Sequence, residues 1–174
     1  MGGFGSKIDT YDDISDMNSD QINQEIENEK KETELQLKKY KEKIENEKTK
    51  ITKNKEEIEK EKEEKNELCN NIEYFENELK KNPYNYYGEL EFRENKKQLK
   101  IIEKKLKSVQ KNSQSLQKSQ NIFENIIEIL EENNKYSIEG KNLEDIDIKR
   151  NKLIKIKENK KKIVKLDKNV NFSN

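Results

Sequence analysis

The first seven residues carry the pattern with the most definite chemistry. Removal of Met1 would leave Gly2 with the terminal amine, and Ser6 stands where the N-myristoylation pattern M-G-x-x-x-[ST] requires it. One myristoyl chain gives only marginal, reversible membrane binding, so a stable anchor needs a second signal. The segment predicts a lipoprotein that carries myristate on Gly2 at the cytoplasmic face of a membrane. The alternative is an unmodified, glycine-rich terminus.

The carboxyl-terminal part of the chain concentrates basic residues that could supply this second signal. A lysine-rich segment contributes about 1 kcal/mol per basic residue near an anionic lipid surface. The alternative is that these cations neutralise acidic residues nearer the amino terminus, which leaves nothing for a lipid. The predicted membrane- or polyanion-binding residues are Lys149, Arg150, Lys152, Lys155, Lys157, Lys160, Lys161, Lys162 and Lys165.

The same lysines suggest another class of function, a soluble coiled-coil protein that binds microtubules or nucleic acid. Lysine clusters bind such polyanions by releasing their counterions. Nucleic acid is the less favoured partner, because Arg93 and Arg150 are the only arginines and no aromatic residues alternate with the lysines. Base readout and stacking therefore lack the side chains that they need.

Three tyrosines cluster in the one short break of the chain's helical pattern, Asn82-Pro83-Tyr84-Asn85-Tyr86-Tyr87-Gly88. Exposed aromatic side chains are favoured anchors for a protein partner. Tyr84, Tyr86 and Tyr87 are therefore the predicted partner-binding residues. The alternative is that they only cap the end of a helical seam.

The chain lacks the side chains of ordinary acid-base or covalent catalysis. It has no histidine, and its single cysteine, Cys69, has no base to activate it. We find no metal-ligand cluster, phosphate-binding loop or nucleophile beside a base in the sequence. We expect a protein that is not an enzyme and that uses no metal, cofactor or small-molecule substrate.

Composition and periodicity indicate which elements hold these residues. Charged residues make up 43% of the chain and hydrophobic residues 29%, which is too polar for a large globular core. A seven-residue apolar repeat, typical of coiled-coil helices, runs through residues 23–134 on both sides of the break. Its a positions include Leu37, Ile44, Ile51, Ile58, Ile72, Leu79, Phe92, Leu99, Leu106 and Ile127, and its d positions include Tyr40, Leu68, Phe75, Ile102, Val109, Leu116, Phe123 and Leu130.

The break favours a helical hairpin in residues 19–134, with the turn at 82–88. In an antiparallel pair the numbers of facing residues have a constant sum. We predict a sum of 174, because it places Tyr87 at the midpoint and lets the polar residue Asn54 face Gln120. A straight parallel homodimer is the alternative, but it would stack Glu61 on its own copy.

The flanking segments are predicted separately. Residues 1–18 are predicted to form a flexible, acylated segment. Its Ile8, Tyr11, Ile14 and Met17 could form a short amphipathic turn that docks on the coiled coil or on a partner, or they could belong to a disordered tether. Asn18 and Gln21 resemble a capping box at the start of the long helix. Gly140 is expected in a turn, and the basic segment 135–174 in a short third helix or a β-hairpin around residues 141–168. The hairpin would bring this segment and the amino terminus to the same end.

The sequence therefore predicts an all-α fold, a long antiparallel coiled-coil helical hairpin with a third short carboxyl-terminal helix and flexible ends. The predicted function is a non-enzymatic scaffold or tether. It would be peripheral at a cytoplasmic membrane face and a subunit of a larger assembly, and its coiled coil would bind a protein partner or a second copy of itself.

Overall fold

The computed structural model describes residues 11–173, and side chains from residue 13 to residue 170. Its helices are α1 (Tyr11–Ser15), α2 (Ser19–Lys81), α3 (Tyr86–Asn142) and α4 (Ile146–Ser173). The two long helices, α2 and α3, pack together. The predicted all-α class is confirmed. The β-hairpin alternative for residues 141–168 is wrong, because α4 covers most of this range and no strand occurs within residues 11–173.

The amino end of α2 is fixed by the predicted capping box. The Asn18 amide donates to Gln21 Oε1 at 2.9 Å, and the Gln21 amide donates to Asn18 Oδ1 at 2.9 Å. Two amides at the end of the helix thus gain acceptors that the helix itself cannot supply. This prediction is confirmed.

The turn between α2 and α3 is shorter than predicted, and its two asparagines explain why. The Asn85 amide donates to the Asn82 carbonyl at 3.1 Å, which closes a four-residue turn around Pro83. Asn85 then caps α3, since its Oδ1 accepts from the Gly88 amide at 3.0 Å. Tyr86, Tyr87 and Gly88 were assigned to the break, but they form the first turn of α3.

The shorter turn changes the register of the two long helices. Three contacts between them join residues whose numbers sum to 166–168, namely Asn71 with Asn95, Ile26 with Gly140 and Glu27 with Lys141. The ring contacts of Tyr40 with Phe123 and of Phe75 with Tyr87 have still smaller sums, 163 and 162. The predicted sum of 174 is wrong by one heptad. A shift of seven residues keeps a and d positions facing each other, so the apolar repeat alone could not distinguish the two registers.

The chain divides into two compact units, which we call the α4 unit (Met1–Lys48 with Lys118–Asn174) and the turn unit (Thr49–Gln117). In the turn unit the buried positions are the predicted a and d positions of a two-helix seam. Most of its apolar residues, Ile58 and Leu68 among them, are only half-buried. The buried seam residues are Ile51, Glu61, Asn95, Ile102, Leu106 and Leu116.

In the α4 unit a third helix changes which positions are buried. Helix α4 packs beside α2 and α3, and the buried stripe of both long helices moves from a and d to d and g. Side chains in this core are more completely covered than in the turn unit. The buried g positions are Ile22, Glu29 and Gln36 on α2, and Ser119, Ile126, Asn133 and Gly140 on α3.

Gly140 lies inside α3 and does not form the predicted turn. The structure has no glycine with a positive φ among the residues it describes. A Cβ at Gly140 would instead lie 3.2 Å from Ile26 Cδ1 and 3.8 Å from Lys152 Cβ. The residue is small because α2 and α4 both approach α3 closely at this point, and α3 continues to Asn142.

The amino-terminal segment packs against α4 in the part that the structure describes. Ile14 is 1% exposed and Met17 6%, and both belong to an apolar cluster with Ile22, Ile26 and Leu153. Docking, the first of the two alternatives for these residues, is therefore what the structure shows for 14–17. Gly2 and the rest of residues 1–10 lie outside the described residues.

Candidate functional site

The basic residues of α4 divide between a packed face and an exposed face. Lys149, Lys157 and Lys160 are buried, and Arg150 and Lys152 are partly buried. The remaining predicted residues lie on the exposed face, namely Lys155, Lys161, Lys162 and Lys165. The sequence could not separate these two sets, because a dense lysine run has members on every side of a helix.

The two most deeply buried lysines meet an acidic cluster on α2. Lys157 Nζ lies 2.7 Å from Glu25 Oε1 and 2.6 Å from Glu29 Oε1. Lys160 Nζ lies 3.0 Å from Glu29 Oε1 and 3.2 Å from Glu32 Oε2. Glu29, 2% exposed, is thus the shared acceptor of both ammonium groups. We call Glu25, Glu29, Glu32, Lys157 and Lys160 the buried charge cluster.

Burial is costly for this cluster, and the pairing offsets only part of the cost. Burial raises the pKa of the Glu32 carboxyl, while the neighbouring Lys160 acts in the opposite direction. One oxygen of Glu29 and one of Glu32 are buried without a hydrogen-bond partner. A charge cluster of this kind stabilises a fold weakly in net terms but penalises any arrangement that separates its members. It therefore fixes how α4 sits on α2.

A layer of neutral polar side chains likewise fixes the position of α4 on α3. Asn159 Nδ2 donates to Asn133 Oδ1 at 2.8 Å, and Asn133 Nδ2 donates to the Ile156 carbonyl at 3.4 Å. Asn133 is fully buried and Asn159 is 6% exposed. Because an amide opposite an apolar side chain would lose its partners, this layer also selects one position of α4 along α3.

The other inward-facing basic residues bind neighbouring segments. Lys149 Nζ donates to Asn23 Oδ1 at 2.6 Å, and Lys152 Nζ pairs with Glu139 Oε2 at 2.8 Å. Arg150 donates to the Met17 carbonyl at 2.8 Å. The expected proximity of the basic segment and the amino-terminal segment is thus confirmed for the described residues.

Tyr40 joins α2 to the carboxyl-terminal end of α4. Its ring is 1% exposed and lies 5.8 Å from the Phe123 ring, and its hydroxyl donates to Asp167 Oδ1 at 3.0 Å. Burial raises the pKa of Tyr40 well above its usual range, and the Asp167 carboxylate adds to the effect. The contribution of this group to stability is therefore fully present below about pH 10, the unfolded pKa of tyrosine, and is lost as the pH rises further.

We expect an alkaline titration to show this tyrosine directly. Tyrosinate absorbance of the folded chain should include one late step that is absent in urea, where tyrosines titrate near pH 10. Tyr40→Phe should remove the late step, lower the stability at neutral pH by about 1 kcal/mol, and flatten the loss of stability above pH 10. An unchanged late step in the variant would contradict the assignment.

The predicted partner-binding tyrosines are solvent-exposed in the turn unit. Tyr84 is 93% exposed, Tyr86 76% and Tyr87 66%, although the Tyr87 ring still lies 6.4 Å from the Phe75 ring. Tyr84 lies in the turn itself, where its amide donates to Asn82 Oδ1 at 3.2 Å. The side chains are held on a capped turn and are open to solvent.

Chemical groups for other kinds of site are limited in residues 11–173. No group of histidine, cysteine, aspartate and glutamate residues in this range could hold a metal ion, and the Cys69 thiol is exposed. None of the helices that the structure describes combines the length and the apolar character that crossing a bilayer requires.

Sequence reasoning missed the acidic half of the buried charge cluster. Glu25, Glu29 and Glu32 resemble an ordinary solvated helix face because α2 is rich in glutamate and lysine. One signal was available, since Ile22 stands seven residues before Glu29 and marks an apolar g position outside the assumed seam.

Comparison with protein families, curated proteins and solved structures found no similar protein.

Proposed function

We propose that the protein is a non-enzymatic coiled-coil scaffold or tether, with myristate on Gly2 and a peripheral position on the cytoplasmic face of a membrane. Its framework is an antiparallel coiled-coil hairpin whose third helix is α4. The protein is a subunit of a larger assembly, and Tyr84, Tyr86 and Tyr87 contact a protein partner in that assembly.

The observation that carries this proposal is the position of α4 in its unit. Residues 14–17 pack on α4, so the chain that leads to Gly2 starts beside a helix whose other face presents four lysines. A myristoyl group and exposed lysines on one unit provide the two signals that stable membrane attachment needs. Lys149, Lys157 and Lys160 do not contribute while α4 is packed, because their ammonium groups face the protein.

Flotation with anionic liposomes tests the proposal on the natively acylated chain. Gly2→Ala is expected to release the protein from the vesicles. Replacing Lys161, Lys162 and Lys165 by glutamine should weaken partitioning about 100-fold, at about 1 kcal/mol per lysine. The matched control changes three exposed lysines of the turn unit, Lys100, Lys104 and Lys105, and should float like the parent protein.

Intact mass is the second measurement, since an acylated chain is heavier by one myristoyl group. A natively expressed chain without that added mass would contradict the lipid anchor. Equal flotation of the parent protein and both test variants would contradict both proposed membrane signals, the myristate on Gly2 and the exposed lysines of α4. Salt-dependent co-sedimentation with microtubules or RNA would then favour the soluble polyanion-binding alternative.

A further inference from the structure

The turn unit leaves its seam incompletely covered. In the α4 unit the seam of α2 and α3 is closed by α4, and Ile22, Ile126 and Ile163 are fully buried there. Within the turn unit no third helix is present, and Ile58 and Leu68 are only half-buried. A two-helix layer exposes part of its core unless another helix packs on it.

Two opposite charges in this seam lack partners. Glu61 is 7% exposed, and its Oε2 is buried without a hydrogen-bond partner. The observed register places Glu61 opposite Leu106 and Lys65 opposite Ile102, so neither residue has an opposite charge directly across the seam. No ion pair of Glu61 or Lys65 occurs in the described structure. A buried carboxylate without a partner is costly, and its presence points to a cation supplied from outside the unit.

A groove lies beside these residues. It has a volume of about 240 Å³ and is lined by Lys62, Lys65, Glu103, Leu106, Lys107 and Gln110. Leu106 makes part of its lining apolar, and its charged lining residues are the three lysines Lys62, Lys65 and Lys107 and the single carboxylate of Glu103. A docking helix would therefore need an apolar residue and a carboxylate about one turn apart.

We propose that this face binds a second copy of the same chain, with the two α2 helices antiparallel and centred at residue 63. The order of residues on α2 is self-complementary, because Ile58, Glu61, Lys65 and Leu68 read as apolar, acidic, basic, apolar. The twofold axis places Glu61 against the partner's Lys65 and Ile58 against the partner's Leu68. Each protomer thus supplies both the cation and the carboxylate that the other lacks, as an isologous interface requires.

Charge complementarity favours a second copy over an unrelated helix. A twofold interface satisfies Glu61 and Lys65 of both chains at once. The dimer rests on the hairpin of the proposed scaffold and would give it two copies of the tyrosine turn. It does not depend on acylation, so liposome flotation and dimerisation can fail separately.

Charge reversal on the full-length, unacylated chain tests the dimer. Sedimentation equilibrium should show a dimer for the parent protein. Glu61→Lys alone and Lys65→Glu alone should each raise the dissociation constant at least about tenfold, because like charges then face each other twice. An equimolar mixture of these two variants should restore the dimer as a heterodimer, since every pair is again of opposite sign.

Mixing the two variants distinguishes a contact between two chains from a contact within one chain. Repair of a contact inside one chain needs both changes in the same molecule, whereas only an intermolecular contact is restored by mixing. Glu64→Lys, at an exposed neighbouring position, is the matched control and should dimerise like the parent. A parent protein that sediments as a monomer or as a trimer, or a mixture that stays monomeric while both variants remain helical, would overturn the proposal.

Discussion

Glu29→Leu is expected to destabilise the α4 unit by about 3 kcal/mol, because it leaves two buried ammonium groups without their shared acceptor. The value lies at the lower end of the range for a broken buried pair, since Lys157 keeps Glu25 and Lys160 keeps Glu32. For a chain of this size such a loss lowers the melting temperature by about 6–12 °C. Urea denaturation followed by circular dichroism measures the change, and hydrogen exchange of the α4 amides assigns it to this unit.

Removing one charged side chain of the buried charge cluster is expected to cost more stability than removing all of them together. Replacing all five members of the buried charge cluster by leucine should bring stability back to within about 1 kcal/mol of the parent protein, because an apolar layer of similar volume needs no ionic partner. Glu34→Leu is the control on the exposed side of α2 and should change stability by less than about 0.5 kcal/mol. A Glu29→Leu variant that behaves like this control would show that the cluster contributes nothing to the fold.

Ile163→Asp should separate α4 from the long helices. Ile163 is fully buried in the cluster that contains Tyr40, Phe123 and Leu130. A carboxylate at this point would be buried among apolar side chains, and undocking α4 is the cheaper outcome. The α4 amides should then exchange at least about 100-fold faster, which corresponds to about 3 kcal/mol of lost protection.

The next residue provides the matched control for this change. Val164 is 37% exposed, so Val164→Asp places the same carboxylate in solvent and should alter stability by less than about 1 kcal/mol. Amides of the turn unit, such as those near Leu106, serve as an internal reference and should exchange as in the parent protein. Equal hydrogen exchange of the α4 amides in the two variants would contradict the packing of α4 against the long helices.

Local patterns in the sequence were sufficient for the helices and for one of their ends. The seven-residue repeat predicted both long helices, and Asn18 with Gln21 predicted the first residue of α2. The end of α3 was placed too early, because Gly140 favours a turn when only its backbone freedom is considered. Its role is steric, and that depends on Ile26 and Lys152, which are distant in sequence.

The basic half of the candidate site was predictable from the sequence, but its acidic half and its geometry were not. The sequence identified nine basic residues of α4, and it identified the three exposed tyrosines at the turn. It could not tell Lys157 and Lys160 from Lys161 and Lys162, because adjacent lysines differ only in the direction that a helix gives them. Burial was decided by where α4 packs, which no periodic pattern within α4 records.

The sequence by itself determined that this chain is helical, where its long helices are interrupted and where its charges accumulate, since these properties depend on neighbours within one or two turns. Tertiary structure alone decided the register of α2 on α3 and the shift of the buried stripe to d and g positions. The physical reason is that a heptad pattern is unchanged by a shift of seven residues, and a glutamate at a g position resembles a solvated residue until a third helix covers it.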